Sequence, residues 1–318
     1  MKAPSFRRFL VPTLSLLVLM ASGSAHAIFR AYLSVTGSDA NPCTVTAPCR
    51  LLPAALTAVD VGGEIWMLDS ANFNTSTVSI TKSVTILAIP GELGSVVGNG
   101  GTALSINGAG IEVTLQNLNI LGLPGAFADI GINVNDAAKV NVVSCNISRF
   151  TGTGSNGLGI WVNPGANTPK VNVIGSIIRG NAHGIVVAGN GSATISKTHV
   201  IGNSGNGIWA NSGTGLATVH VSDSVSSGNA SGFVATGTSQ TAFSYVNVTR
   251  SIATENVNYG FVADGSSLGV VVVGDSMATH NGVGFARLSG GDLGSRGNNT
   301  VIFNNAPNVG VPSPVAGT

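Results

Sequence analysis

The most regular feature of the chain is a glycine followed by an apolar residue, which recurs along its second half. Successive copies are separated by 23 to 28 residues. The copies are Gly131-Ile132, Gly159-Ile160, Gly184-Ile185, Gly207-Ile208, Gly232-Phe233, Gly260-Phe261 and Gly284-Phe285. An internal repeat of this length indicates a stack of similar units that bury their apolar faces against one another.

Each repeat also contains a block in which apolar residues alternate with other residues. The blocks are Val171–Val173, Ala193–Ile195, Val219–Val221, Val246–Val248 and Val271–Val273. Alternation with a period of two predicts strands, and the chain lacks the leucine framework and helical half of a leucine-rich repeat. The sequence therefore predicts an all-β parallel β-helix.

Composition supports this prediction and excludes several other classes. The chain of 318 residues has 44 glycines, only 8 % charged residues and 43 % hydrophobic residues. With 4 glutamates and 5 lysines it is unlike a helical bundle, and its hydrophobic share is too high for a disordered chain. A formal net charge of +1 gives no basic face for nucleic acid, so no nucleic-acid partner is expected.

The repeats, together with the segment before them, resemble the right-handed parallel β-helix (pectin-lyase-like) superfamily, in particular its exported bacterial repeat-containing members. The segments 32–43 and 47–56 are similar to the cap that opens such proteins, with Leu51, Leu52, Ala55, Leu56 and Val59 forming a short amphipathic helix. The resemblance implies a solenoid of about nine or ten coils. It leaves the activity open, because the superfamily includes lyases, hydrolases and adhesins.

The N-terminus has the features of a secretory signal peptide. Basic residues precede an apolar run from Phe9 to Met20, and the small-residue site Ala25-His26-Ala27 follows. Cleavage after Ala27 is expected, because the run is too short to span a membrane and Pro12 interrupts it. The predicted organisation is a signal peptide (1–27), an N-terminal cap (28–63), the β-helix (64–306) and a flexible tail (307–318). No later segment is apolar enough to cross a membrane, so an exported protein is expected.

The cysteines fit an oxidising compartment. Cys43 and Cys49 lie six residues apart with a proline before each, and a disulfide between them would close a short loop. Two thiols without further ligands make a poor zinc site, and the sequence indicates no metal site and no cofactor. Cys145 falls in register with Ser176 one coil later and is predicted to be a small, partly buried spacer.

Stacking the repeats predicts three structural columns. An asparagine ten residues after the start of each block, namely Asn181, Asn203, Asn229, Asn256 and Asn281, is expected to form a ladder in a tight turn with left-handed backbone. Five residues earlier lie Ser176, Thr198, Ser224, Ser251 and Ser276. One column before these, Lys197, Asp223, Arg250 and Asp275 alternate in charge and predict an exposed salt-bridge ladder.

The sequence offers little that is typical of catalysis. Polygalacturonase-like hydrolases of this fold have paired aspartates, Gly-His-Gly and Arg-Ile-Lys, and none of these occurs here. The histidines His183, His199, His220 and His280 lack convergent partners and are expected at the surface, although His280 could pair with Glu255. Two functions remain: a non-catalytic exported binding or structural module, which we favour, or a carbohydrate-active enzyme with an atypical site.

A candidate binding surface follows from the strand alternation. The isoleucine or phenylalanine after each repeated glycine is expected to face inward, so the next residue faces outward. These outward residues are Trp161, Val186, Trp209, Val234 and Val262. Such an apolar strip could stack on sugar rings of a polysaccharide or anchor a cell-surface component. Alternatively, the long turns at 163–169 and 211–216 could fold over the strip and bury it.

Overall fold

The computed structural model describes residues 28–152, 156–165, 167–237, 241–265 and 268–315, and the predicted signal peptide lies outside these ranges. The described residues form one helix, α1 (Leu52–Ala58), and a series of short strands. The strands of the first half are β1 (Ile28–Leu33), β2 (Val59–Met67), β3 (Ala71–Asn72), β4 (Val78–Ile80), β5 (Val84–Ala88), β6 (Gly94–Gly98), β7 (Thr102–Asn107), β8 (Glu112–Gln116), β9 (Leu118–Gly122), β10 (Ile130–Asp136), β11 (Lys139–Val143), β12 (Asn146–Ser148), β13 (Leu158–Val162), β14 (Lys170–Ile174) and β15 (Ile177–Arg179). Those of the second half are β16 (His183–Ala188), β17 (Ser192–Ser196), β18 (His199–Ile201), β19 (Asn206–Ser212), β20 (Gly215–Ser222), β21 (Val225–Ser227), β22 (Ser231–Gly237), β23 (Ala242–Thr249), β24 (Ile252–Thr254), β25 (Tyr259–Asp264), β26 (Gly269–Gly274), β27 (Met277–Thr279), β28 (Val283–Leu288), β29 (Asp292–Ser295), β30 (Thr300–Ile302) and β31 (Ser313–Pro314).

These strands form three parallel sheets that run the length of a right-handed solenoid. Within the described residues, the twelve-stranded sheet has the order β1-β2-β5-β8-β11-β14-β17-β20-β23-β26-β29-β31. The ten-stranded sheet has the order β3-β6-β9-β12-β15-β18-β21-β24-β27-β30, and the nine-stranded sheet β4-β7-β10-β13-β16-β19-β22-β25-β28. Each coil contributes one strand to each sheet, as β14, β15 and β16 do. The predicted all-β solenoid of about nine or ten coils is confirmed.

The core of the solenoid is a stack of aliphatic and aromatic side chains. The residues predicted to face inward in the nine-stranded sheet are almost completely buried: Ile160, Ile185, Ile208, Phe233, Phe261 and Phe285. The rings of Phe233 and Phe261 stack with centroids 4.9 Å apart, and Phe285 meets Phe261 edge-on at 5.4 Å. A coil spacing of about 4.8 Å allows such contacts between equivalent residues, so one inward position per coil builds a continuous core.

The repeated glycine is required by the close approach of neighbouring coils. A Cβ atom on Gly232 would lie 2.6 Å from the carbonyl oxygen of Gly260 and 3.0 Å from the side-chain nitrogen of Asn256. No side chain fits in this space. The repeat detected in the sequence is therefore a packing requirement of the stack.

The first coil is closed by a short cap. Helix α1 begins after Leu51, which has extended backbone, and it buries Leu52, Ala55 and Leu56. The predicted disulfide between Cys43 and Cys49 is present. Its loop is held against β1, since the backbone of Tyr32 bonds to both cysteines at 2.8 and 2.9 Å. Within the described residues, no helix is long and apolar enough to span a membrane.

The predicted asparagine ladder is confirmed by its hydrogen bonds. The side-chain oxygen of Asn203 accepts from the backbone and side-chain nitrogens of Asn181, both at 3.0 Å. The same pair of bonds joins each later asparagine to the one before it. The ladder extends beyond the predicted members to Asn304, and at its other end Asn181 accepts from the backbone of Phe150.

The structure corrects the expected backbone of this ladder. The residue before each asparagine, and not the asparagine itself, has positive φ; these residues are Gly180, Gly202, Gly228, Glu255, His280 and Phe303. Asparagine occupies the ladder because its amide both donates and accepts within a buried column. Tolerance of left-handed backbone is not the reason.

A second ladder of hydroxyl groups runs through the turn between the twelve-stranded and ten-stranded sheets. Each hydroxyl donates to the carbonyl two residues earlier, as Ser224 does to Ser222 at 2.7 Å, and accepts from the backbone of the coil before. Cys145 takes the first position: its backbone N–H donates to Ser176 Oγ, and its Sγ lies 3.4 Å from the carbonyl of Val143. Cys145 is fully buried, and not partly buried as predicted, because the column lies inside the turn.

Candidate functional site

The predicted apolar strip lies on the outer face of the nine-stranded sheet. Register pairs Asn133 with Trp161, Trp161 with Val186, Val186 with Trp209 and Trp209 with Val234. A coil spacing of about 4.8 Å puts Trp161 and Trp209 roughly 10 Å apart across Val186. The outward direction of these residues agrees with the prediction from alternation.

The strip is not continuously exposed, which answers the question that the sequence left open. Val186, Val234 and Val262 are only 4 %, 5 % and 3 % exposed. Val186 packs with Ile130, Leu158 and the two tryptophans, whereas Val234 and Val262 pack in a second cluster with Tyr259, Val283 and Leu288, and Trp209 contacts both clusters. Part of this cover comes from side chains of neighbouring columns, which the sequence column does not reveal.

The two half-buried tryptophans line an open cleft of about 380 Å³. Its apolar wall consists of Ile130, Leu158, Trp161, Val186 and Trp209. Asp129, Asn156 and Asn211 add polar groups. We call this the tryptophan cleft. It brings together Trp161, Val186 and Trp209 of the predicted site, while Val234 lies outside it.

The two tryptophans are held differently. Trp209 Nε1 donates to Thr236 Oγ1 at 3.0 Å, and its ring lies 5.1 Å from that of His183. Trp161 makes no side-chain hydrogen bond to any residue that the structure describes. Trp209 is therefore a fixed wall, and Trp161 is positioned by packing alone.

His183 is a part of the site that the sequence did not predict. We expected a solvated surface histidine, but it is half-buried behind Trp209, and its Nδ1 accepts from the backbone N–H of Asn206 at 3.0 Å. Burial lowers the pKa of His183, because the half-buried position disfavours the charged ring. The spacing of the repeats could not predict the contact between His183 and Trp209. This contact depends on how far the Trp209 ring extends towards the preceding coil.

Two oxygen acceptors near Trp161 lack partners within the described residues. Asp129 is half-buried in the lining of the cleft, and its carboxylate makes no hydrogen bond or ion pair there. Asn133, the strand neighbour of Trp161, has a buried side-chain oxygen without a hydrogen-bond partner. A buried side-chain oxygen without a partner, as on Asn133, is uncommon in folded proteins.

A second, polar groove of about 420 Å³ lies on the outer face of the twelve-stranded sheet. Thr194, His220, Asn247, Val272 and Arg296 line it. His220 is exposed in a polar column, as predicted, and its Nδ1 lies 3.4 Å from Asn247 Nδ2. No carboxylate lines this groove, so it offers no acid–base pair for glycosidic chemistry.

The predicted salt-bridge ladder is reduced to one ion pair among the described residues of that column. Arg250 donates to both carboxylate oxygens of Asp223, at 2.8 and 2.9 Å. These bonds lower the pKa of Asp223. Asp275 instead accepts from Asn298 at 2.6 Å, because Arg250 turns back towards the preceding coil. The pairing of His280 with Glu255, which the sequence allowed, is not formed among the described residues. His280 Nδ1 instead lies within hydrogen-bond distance of Thr279 Oγ1.

The described residues contain no group of three His, Cys, Asp or Glu side chains that could hold a metal ion. A general acid of a glycosidase needs a raised pKa, whereas the pKa of Asp223 is lowered. The tryptophan cleft has a single carboxylate, that of Asp129. Its geometry suits binding better than acid–base catalysis.

Comparison with known proteins identifies the family. The model of the right-handed beta helix region matches residues 65–226 and 102–306, so the chain belongs to the right-handed β-helix family. Pectate lyase Pel9A is similar in structure, with a TM-score of 0.61, 16 % identity, and coverage of 87 % of this chain and 78 % of that one. A comparison with curated proteins finds no match to this sequence.

Two further solved structures show a looser similarity. The Dettilon tailspike protein has a TM-score of 0.50 and 13 % identity over 76 % of this chain, which spans 56 % of the tailspike chain. GH136 lacto-N-biosidase from Eubacterium ramulus has a TM-score of 0.47 and 13 % identity, covering 90 % of this chain and 68 % of that one. The likeness to the pectate lyase and the tailspike concerns the fold alone.

Proposed function

We propose that the protein is an exported, non-catalytic β-helix that binds carbohydrate in the tryptophan cleft. The observation that carries the proposal is the pair of half-buried rings of Trp161 and Trp209 on either side of Val186 in an open cleft. Exposed aromatic surface that is fixed on a rigid scaffold is typical of recognition sites.

The cleft has the two kinds of group that a sugar ring needs. Aromatic faces pack against the apolar C–H faces of a pyranose, and the polar side chains of Asp129, Asn156 and Asn211 can bond to its hydroxyl groups. Trp209 is fixed by Thr236 and His183, so little conformational entropy is lost when a ligand packs against it.

Catalysis of glycosidic cleavage has less support. Pectate lyase Pel9A shares the fold and makes a carbohydrate-active enzyme the natural rival. Hydrolysis generally uses two carboxylates on either side of the bond, but only Asp129 provides one in the cleft and none lines the polar groove.

Export is part of the proposal. The N-terminal pattern of the sequence and the Cys43–Cys49 disulfide both suit an oxidising compartment outside the cytoplasm. Intact mass of the protein produced with its native N-terminus should correspond to a chain beginning at Ile28. A mass that retains residues 1–27 would contradict cleavage.

The proposal is tested by binding and cleavage measured on the same samples. The mature protein is incubated with cello-, manno- and chito-oligosaccharides and with oligogalacturonate. Binding is measured by isothermal titration calorimetry, and new reducing ends are measured on the same samples. We expect binding of at least one oligosaccharide without cleavage of any. The Trp161→Ala/Trp209→Ala variant should bind at least about thirtyfold more weakly, since truncating a central aromatic anchor costs about 2 kcal/mol or more.

The matched control replaces two exposed aromatics elsewhere. Phe29 and Phe303 are 60 % and 73 % exposed and lie outside the cleft, so Phe29→Ala/Phe303→Ala should bind as the native protein does. Circular dichroism of both variants checks that the solenoid remains folded. Unchanged binding by the double tryptophan variant would reject the cleft as the site, and release of reducing ends would favour the enzyme.

A further inference from the structure

The charge distribution around the tryptophan cleft is one-sided. Among the described residues, Asp129 is the only charged one in the lining, and no described residue neutralises its carboxylate. The ring of His183 packs against Trp209, and burial lowers its pKa, which disfavours a positive charge there. A ligand in the cleft therefore meets a negative charge that no cation of the lining offsets.

Asp129 also adds an acceptor to the hydrogen-bonding groups of the cleft. Its carboxylate has no hydrogen-bond partner among the described residues, whereas the amides of Asn156 and Asn211 can both donate and accept. A ligand group that donates to this carboxylate is therefore favoured over one that only accepts. Sugar hydroxyl, amide N–H and ammonium groups are such donors, whereas a carboxylate is not.

We propose that the cleft selects carbohydrates that are neutral or carry amino groups and rejects uronates, with Asp129 as the residue that determines this specificity. The inference rests on the proposed function and deepens it. A uronate carboxylate near Asp129 would place two like charges in a partly desolvated site. Their repulsion would lower the affinity of the cleft for the uronate. The shared fold with a pectate lyase therefore does not extend to binding of an acidic sugar at this cleft.

The test compares each neutral hexose oligosaccharide with its C6-oxidised form, in which the primary hydroxyl has become a carboxylate. Oligogalacturonate and its methyl ester provide a second pair that differs only in charge. We expect the acidic member of a pair to bind at least about tenfold more weakly than the neutral member at low ionic strength. Added salt should reduce this difference in affinity, because it screens the repulsion between the charges.

The variant Asp129→Asn keeps the shape of the side chain and removes its charge. This variant should reduce the difference in affinity between the acidic and neutral oligosaccharides to about threefold or less, mainly because it binds the acidic ones more tightly. Glu112→Gln, which removes an exposed carboxylate on the twelve-stranded sheet, is the matched control and should leave the difference unchanged.

The outcomes separate the two proposals. Equal or tighter binding of the acidic members by the native protein would overturn the inference while leaving carbohydrate binding intact. A difference that persists in Asp129→Asn would also overturn it, because the discrimination would then come from another group. Failure to bind every oligosaccharide of both sets would overturn the proposed function itself.

Discussion

The asparagine ladder and the outer column that contains the tryptophans are built by the same rule, one residue per coil, yet they differ in every other property. The ladder repeats one residue type, and each member is buried and bonded to the next, as Asn203 is to Asn229. The outer column changes from Asn133 to Trp161, Val186 and Trp209 over successive coils.

This difference separates what the stack needs from what it presents to solvent. A column inside the turn must find its hydrogen-bond partners among its own copies and the neighbouring backbone, so a residue that both donates and accepts is required at each step. A column on the outer face is free of that requirement. Its two large aromatics are therefore not required by the hydrogen bonds of the stack.

The largest effect should come from interrupting the ladder. Asn229 accepts from the backbone N–H of Asn203 and donates to the carbonyl of Val200 and to Asn256. Asn229→Leu would leave these buried groups unpaired, so we expect a loss of about 3–5 kcal/mol in unfolding free energy, measured with urea. Asn247→Leu on the outer face is the control and should cost less than about 1 kcal/mol. Equal losses would show that the ladder is not specially stabilising.

A smaller effect should distinguish the two tryptophans. Trp209→Ala removes the bond to Thr236 and packing against both outer apolar clusters, so we expect a loss of about 2 kcal/mol. Trp161→Ala removes packing in one cluster only and should cost less than about 1 kcal/mol. Thermal unfolding of the two single variants checks this order. A reversed order would contradict the assignment of Trp209 as the fixed wall.

Much of the fold was predictable because each coil repeats the same requirements. Periodicity located the inward residues Ile160 and Phe233 and the ladder from Asn181 to Asn281. Asn304 was missed although it follows Asn281 by 23 residues, which is within the observed spacing. The same spacing would have found it.

The candidate site was predictable only in part. Alternation correctly placed Trp161 and Trp209 outward, but it could not show that their rings cover Val186 or that His183 supports Trp209. Such contacts depend on side-chain length and direction between columns. The unpaired acceptors of Asp129 and Asn133 were missed as well, because the repeat fixes where a side chain lies and not whether it finds a hydrogen-bond partner.

Near neutral pH, Cys145→Ser should have the smallest effect on the free energy of unfolding. The variant tests whether Cys145 is simply the first member of the hydroxyl ladder. A serine at this position would donate to the carbonyl of Val143, just as each later member of the ladder donates to the carbonyl two residues before it. We therefore expect the free energy of unfolding at pH 7 to change by less than about 1 kcal/mol. Burial raises the pKa of the Cys145 thiol from its ordinary 9.0 to about 12.

Alkaline pH should then separate the native protein from Cys145→Ser. Between pH 9 and 12 the thiol ionises in the unfolded chain and stays protonated in the folded one. The folded state therefore binds more protons, and its stability falls as pH rises through this range. Urea unfolding at several pH values should show a steeper decline for the native protein than for Cys145→Ser, since groups common to both cancel in the comparison. Parallel declines would mean that the thiol is already solvated in the folded protein, and the register that places Cys145 in the buried column would then be wrong.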